Sequence, residues 1–429
     1  MLQRLLSDGR CTSFVQELVE ELHTRFSSKH ISAPVQLPED IIAEVLKRIP
    51  VKMLVQCKSV SKSWTRILMD PIFINMQFHF HSPTRIVLSN VNHTYSISVS
   101  LPLNPNPNSV LNTQQLCPPP CEHGFCIKDY CNGLFVITVR HEKSIILWNP
   151  SISQYRVLPP SPFFENHCSR GFSRDICAIG YDSSKDDYKM ITSTFFYGAR
   201  IFELLSLNSN SWKQLPDAES APYHMETFLQ RPVSINGSIF WIASDKASYK
   251  HMIMRFDVCQ ERFSLLPALP DVNVRNVCWI GDINQSLCTY YLSNNSYFHI
   301  WSTRDAFNWV KLITVSMIPE PNPRTPSLYY VPLCFTENGE LLISLRGYGI
   351  FDRRRGLAAY DPNEQSYRRF VLEENTYWLE EAVYSDSLFF PKEPSDQACS
   401  HSSSGFLKKM LLRFSHTIFS HLACNATSD

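Results

Sequence analysis

The densest group of metal-binding side chains in the sequence is Cys117-Pro-Pro-Pro-Cys121-Glu-His-Gly-Phe-Cys126, with Cys131 just beyond it. Thiolates and imidazoles hold zinc, so zinc is the chemistry to test first. The spacing matches no common zinc knuckle, and Cys126 and Cys131 read as parts of a strand and its turn. No metal and no cofactor is therefore expected. Gly-x-Ser-x-Gly, His-Glu-x-x-His, Gly-x-x-x-x-Gly-Lys and Gly-x-Gly-x-x-Gly do not occur. Nucleophilic, metallohydrolase, phosphate-cradling and dinucleotide chemistry thus lack their usual carriers. The fourteen histidines are scattered without ligand spacing. What remains patterned is apolar and aromatic, and the chemistry of such residues is recognition through burial. A non-catalytic binding protein is the reading.

The elements that must position those residues are bounded by composition. The chain has 429 residues, of which 44% are hydrophobic, 12% aromatic and 19% charged. That supports a sizeable core and argues against a mainly disordered chain. Its length exceeds one average domain, so two units or one large repeat array are expected. Lys and Arg number 40 against 40 Asp and Glu, without the basic excess a nucleic-acid binder uses to neutralise phosphates. No eighteen-residue apolar window suggests a membrane span, and the start MLQRLLSDGRCTSF has no signal-peptide core. The fourteen cysteines then read as free thiols in a reducing compartment, cytoplasmic or nuclear. Prolines outnumber glycines 28 to 13, so turns must be made by Asn, Asp, Ser and Pro.

Helical periodicity is concentrated in the first fifth of the chain. Phe14, Leu18, Leu22 and Phe26 recur at four-residue spacing, predicting an amphipathic helix within an N-terminal segment, 1–34. In 35–80, Pro38 opens a helix with Glu39 and Asp40 at its positive end and Ile41, Ile42, Val45, Leu46 and Ile49 along one face. Pro50 ends it and starts a second helix with Val51, Leu54 and Val55. A third, from about Val60 to Met69, turns Trp64, Ile67 and Leu68 inward and stops at Pro71. Three such short helices are expected to leave apolar surface for a partner.

Leu37-Pro38, Glu44-Val45-Leu46-Lys47-Arg48-Ile49-Pro50, Ser61-Lys62-Ser63-Trp64 and Asp70-Pro71-Ile72-Phe73 resemble the F-box signature, with Ser61 in place of the usual Cys and Ile49 in place of the usual Leu. The resemblance implies docking on the Skp1 adaptor of a cullin-based ubiquitin ligase. It also implies that Leu37, Pro38, Ile42, Leu46, Ile49, Pro50, Leu54 and Trp64 make the adaptor contact.

Residues 84–390 read as short alternating strands. Trp148 to Tyr155, Leu205 to Trp212, Phe256 to Phe263 and Tyr360 to Tyr367 each place an aromatic seven residues after an apolar anchor, across a polar turn. Trp301 to Trp309 is a fifth, longer copy. Hairpins at Cys131-Asn132-Gly133, Asp182–Asp187, Asn236-Gly237 and Glu337–Gly339 supply further strands. One hairpin per repeat cannot cover its own faces, whereas radial stacking can. Trp378–Tyr384 and Leu388–Phe390, with Arg85–Ser89 and Thr94–Ser100, are expected to close the ring as its last sheet. The expected fold is thus a small all-α unit followed by an all-β propeller of six blades. Cys131-Asn-Gly-Leu134, Trp148-Asn-Pro150, Gly180-Tyr-Asp182 and Asn236-Gly237-x-x-x-Trp241 resemble the plant F-box-associated domain, which is related to kelch repeats, although no Gly-Gly pair of kelch type occurs.

The linkers between copies are longer and richer in aromatics than the hairpin turns. They nominate Phe163, Phe164, Tyr223, Tyr249 and Tyr330 as target-binding anchors. Arg354, within Arg353-Arg354-Arg355, either grips an acidic target or lies on a solvated turn. In the tail, 391–429, Leu407, Met410, Leu411, Phe414, Ile418 and Leu422 share a helical face. Together the two resemblances imply a substrate-recognition subunit of a Skp1-cullin-F-box ligase that captures a target protein. A propeller binding a glycan or small ligand, or acting as an enzyme, is the alternative, and it requires polar side chains converging in the central channel.

Overall fold

A computed structural model describes residues 39–80, 84–89, 94–98, 113–121, 124–139, 144–163, 176–196, 199–216, 223–225, 231–266, 279–292, 297–306, 308–318, 328–347, 355–370 and 380–391. The segments expected as amphipathic helices at 12–26 and 406–422 lie outside these residues. Contacts divide the chain into two units, Met1–Pro391 and Lys392–Asp429, and everything described belongs to the first.

Among the described residues four helices come first: α1 (Glu39–Leu46), α2 (Val51–Cys57), α3 (Lys62–Leu68) and α4 (Pro71–Phe80). Ser61 caps α3, its hydroxyl accepting from the Trp64 amide at 3.1 Å, so this departure from the F-box signature gives the helix a better start than Cys would. Pro71 does more than stop α3. It occupies the first turn of α4, and Asp70 accepts from the Ile72 amide at 2.9 Å. Leu46, Ile49, Val51, Leu54, Trp64, Ile67, Leu68 and Phe73 pack together, and Ile152 and Leu388 from the β region join them.

Among the described residues the strands form six antiparallel sheets, five of four strands and one of five. Blade I is Phe125–Cys131, Leu134–Val139, Ile145–Asn149 and Gln154–Val157. Blade II runs from Ile176–Asp182 to Ser211–Leu215, blade III from Tyr223–Met225 to Arg262–Leu265, blade IV from Trp279–Ile283 to Val310–Ser316, and blade V from Leu328–Phe335 to Ser366–Phe370. Blade VI joins both ends of the region: Glu380–Ser385, Thr84–Ser89, Thr94–Ser98 and Thr113–Gln115 lie side by side. The innermost strand of each blade, Val233–Ile235 in blade III, touches the innermost strands of its neighbours, and the last blade returns to blade I, which makes the ring a propeller. Leu388–Phe390, expected as a strand, is not one. Asp386–Phe390 leaves the sheet and crosses blade I, and Thr113–Gln115 supplies the fourth strand.

The scarcity of glycine has a conformational answer. Ser153, Asn210, Glu261 and Gln365, each two residues before the second aromatic of its repeat, hold φ of 55°, 50°, 57° and 52°. Ala306 of the longer copy holds 65°. Non-glycine residues thus occupy the left-handed position that lets each outer hairpin close. Asn149, Asp257 and Asp361 support these turns by accepting backbone amides two or three residues on. Between blades VI and I, Trp148, Phe135 and Tyr384 stack within 5.8 Å centroid spacing in a fully buried aromatic core.

Candidate functional site

The two ends of the propeller are unequal. At one end lie the short polar turns within hairpins, including Asn132-Gly133, Asn236-Gly237 and Asn284-Gln285, all with positive φ. At the other end each blade passes to the next, and its second strand passes to its third. The helical unit sits at the hairpin-turn end. Ile152 belongs to the outer turn of blade I, Leu388 follows the last inner strand, and α4 leads into Thr84 at the same end.

Its adaptor-type residues divide into three groups. Leu46, Ile49, Leu54 and Trp64 are buried in the unit's own core, because α4 and the propeller cover the stripe that three helices alone leave open. The expectation that these four face a partner is corrected. Ile42 and Pro50 are half-buried, and Leu37 and Pro38 lie outside the described residues. What stays exposed is a different apolar set: Ile41, Val60, Met69, Ile72, Met76 and Phe80. Ile72, Met76 and Phe80 share one side of α4 by their four-residue spacing. The Lys47 ammonium lies 4.7 Å from the Phe80 ring centroid and ties the end of α1 to that side. Sequence reading missed Ile72, Met76 and Phe80 because α4 was unread, although Asp70-Pro71 is itself a helix-start signal.

At the linker end the nominated anchors separate. Tyr249 is 74% exposed at φ 53°, on a turn where Asp245 accepts from the Ala247 and Ser248 amides at 3.1 and 2.6 Å. Tyr223 pairs in register with Asp245, which brings it to the same end of blade III, half-buried. Phe163 is half-buried between blades I and II, its amide donating to the Glu203 carboxylate at 3.1 Å. Tyr330 is no surface anchor. It is 2% exposed, its hydroxyl accepts from the Ile318 amide at 2.9 Å, and its carbonyl accepts from the Tyr290 hydroxyl at 2.6 Å. Inner strands are covered on both faces, so an aromatic there is core. Phe164 and Arg354 lie outside the described residues.

Polar groups do meet along the axis. Asp129 of blade I accepts from the Ile179 amide of blade II at 2.9 Å and the Ser234 hydroxyl of blade III at 2.6 Å. Burial pushes its carboxyl up to about 7, against the opposing pull of those bonds and of Arg231. Arg231 reaches from blade III to blade VI, donating to the Glu381 carbonyl at 2.7 Å and pairing with Glu380. Glu381 in turn accepts from Ser344 at 2.9 Å and Arg346 at 2.6 Å. These groups bond one another and tie blades across the ring. Among the described residues no cluster of three or more His, Cys, Asp or Glu is placed to hold a metal, and no helix is long and apolar enough to cross a membrane.

The F-box associated beta propeller domain matches residues 84–346, and the F-box domain matches 35–75. The chain belongs to this F-box-associated propeller family. Among similar proteins, F-box protein CPR1 of Arabidopsis thaliana is 25% identical, over 70% of this chain and 78% of its own. The F-box/kelch-repeat protein At3g17530 of the same plant is 28% identical, over 54% of this chain and 60% of its own.

Proposed function

We propose that this F-box protein is the substrate-recognition subunit of a Skp1-cullin-F-box ubiquitin ligase. Its helical unit docks on the Skp1-type adaptor through Leu37, Pro38, Ile42, Pro50 and the exposed band of Ile41, Val60, Met69, Ile72, Met76 and Phe80. Its propeller holds a target protein at the linker end through Tyr249, Tyr223 and Phe163, and Phe164 and Arg354 are proposed as further anchors. The subunit performs no bond chemistry; it raises the target's local concentration at the charged enzyme, in the cytoplasm or nucleus. The carrying observation is the polarity of the fold. Apolar side chains stay exposed on a helical unit seated at the hairpin-turn end, while the exposed Tyr249 and the half-buried Tyr223 and Phe163 lie at the opposite end. The glycan, ligand or enzyme reading needs unspent polar groups in the channel, whereas Asp129, Arg231, Arg346 and Glu381 are engaged with one another and with neighbouring strands.

Capture by a purified Skp1-type adaptor tests the reading. Wild type is retained, and Leu37→Ala/Pro38→Ala and Ile72→Asp/Met76→Asp are each retained at least tenfold less. Failure of wild type to bind, or equal binding by both variants, overturns it.

A further inference from the structure

The segment Asp386–Phe390 follows the strand that closes the ring, and its side chains serve two structures at once. Asp386 is 2% exposed; its carboxylate accepts from Arg85 of blade VI at 2.6 Å and from the Ser151 hydroxyl of blade I at 2.8 Å. The Asn149 amide of blade I donates to the carbonyls of Ser387 and Phe389 at 2.9 and 2.8 Å, gripping the backbone on both sides of Leu388. Gly133 lies against Ser387, with no room for a Cβ. Phe389 stacks on Tyr188 of blade II with centroids 4.9 Å apart. With both neighbours held to the propeller, Leu388 enters the helical core instead, 4% exposed alongside Leu54, Trp64 and Phe73. The fully buried part of the helical core is therefore assembled from residues 46–73, with Ile152 of blade I packed against it, and from Leu388, more than three hundred positions later, which arrives only with the closing strand.

We propose that Asp386–Phe390 couples ring closure to the helical unit: that unit's core is completed, and its seat on the propeller fixed, only when the last strand has docked. An open ring then presents an unfinished adaptor module, so a chain whose propeller has not closed is poorly competent for assembly. The coupling is independent of what the helical unit binds. Only its consequence for assembly rests on the ligase reading, and failure of wild type to capture the adaptor would remove that reading while leaving the coupling untouched.

Hydrogen exchange on the full chain tests it with two variants. Leu388→Ser removes the shared side chain. Tyr384→Ser removes a ring that packs on Phe135 and a hydroxyl bonded to Ser96 at 2.8 Å, loosening the closing strand without touching the helices. In both variants the amides of α2 and α3 are expected to exchange roughly a hundredfold faster, while blades III and IV keep their protection. Unchanged helix protection in Leu388→Ser overturns the proposal. So does a Tyr384→Ser protein that opens at Thr84–Ser89 yet keeps its helices protected. Should Tyr384→Ser unfold the whole chain, the Leu388→Ser result decides.

Discussion

Replacing Asp129 by Asn should change how stability responds to pH far more than it changes the fold. The carboxyl is 5% exposed, and burial raises it to about 7. In the unfolded chain it titrates near 3.9. Between those values the folded protein holds a proton that the unfolded chain has released, so stability from this group is full below about pH 4 and lost as pH rises through about 7. Three pKa units correspond to about 4 kcal/mol in total, of which roughly 2 to 3 kcal/mol falls between pH 5 and pH 8. Asn reproduces the shape of the neutral acid and cannot ionise, so it removes this dependence while other titrating groups are common to both proteins. Denaturant unfolding of wild type and Asp129→Asn at pH 5, 6, 7 and 8 supplies the comparison. Wild type should lose roughly 2 to 3 kcal/mol relative to the variant across that range. Parallel stability curves would refute the argument, because they mean that the axial carboxylate is ionised in the folded ring.

Two other substitutions probe the ends of the propeller. Gly133→Ala places a Cβ against Ser387 at a φ of 91°, and should cost about 2 kcal/mol by thermal melting, with blade I losing protection first. Tyr249→Gly relieves a φ of 53° on a side chain that is 74% exposed, so it should raise stability by about 1 kcal/mol while weakening retention of the target. A loss of stability there would show that the ring packs on something that matters to the fold.

The legible parts of this protein are those with a short-range cause. Asn132-Gly133 and Asn236-Gly237 announce their hairpins because both positions demand positive φ, and the strands flank them as the alternation requires. The hairpin around Asn284-Gln285 went unread because the same backbone shape, φ 55° and 59°, is made without glycine. Tyr330 misled for a related reason: a pair of tyrosines after a proline-rich stretch looks like a loop, and only the inner-strand register makes it core. The helical stripe was read correctly as apolar and incorrectly as uncovered. What covers it is α4 and Leu388, and no local pattern at residues 46–64 can report a partner so remote in sequence. The same limit hid the axial network, whose members Asp129, Ser234, Arg231 and Glu381 meet only once the ring exists.

The seating of the helical unit at the hairpin-turn end of the propeller has a consequence for descent as well as for mechanism. On the proposed function, handle and jaw are fastened to opposite rims of one wheel. Insertions and substitutions at the jaw can therefore accumulate without disturbing the handle. A single scaffold of this kind can be retooled for new cargo by redecorating one rim alone.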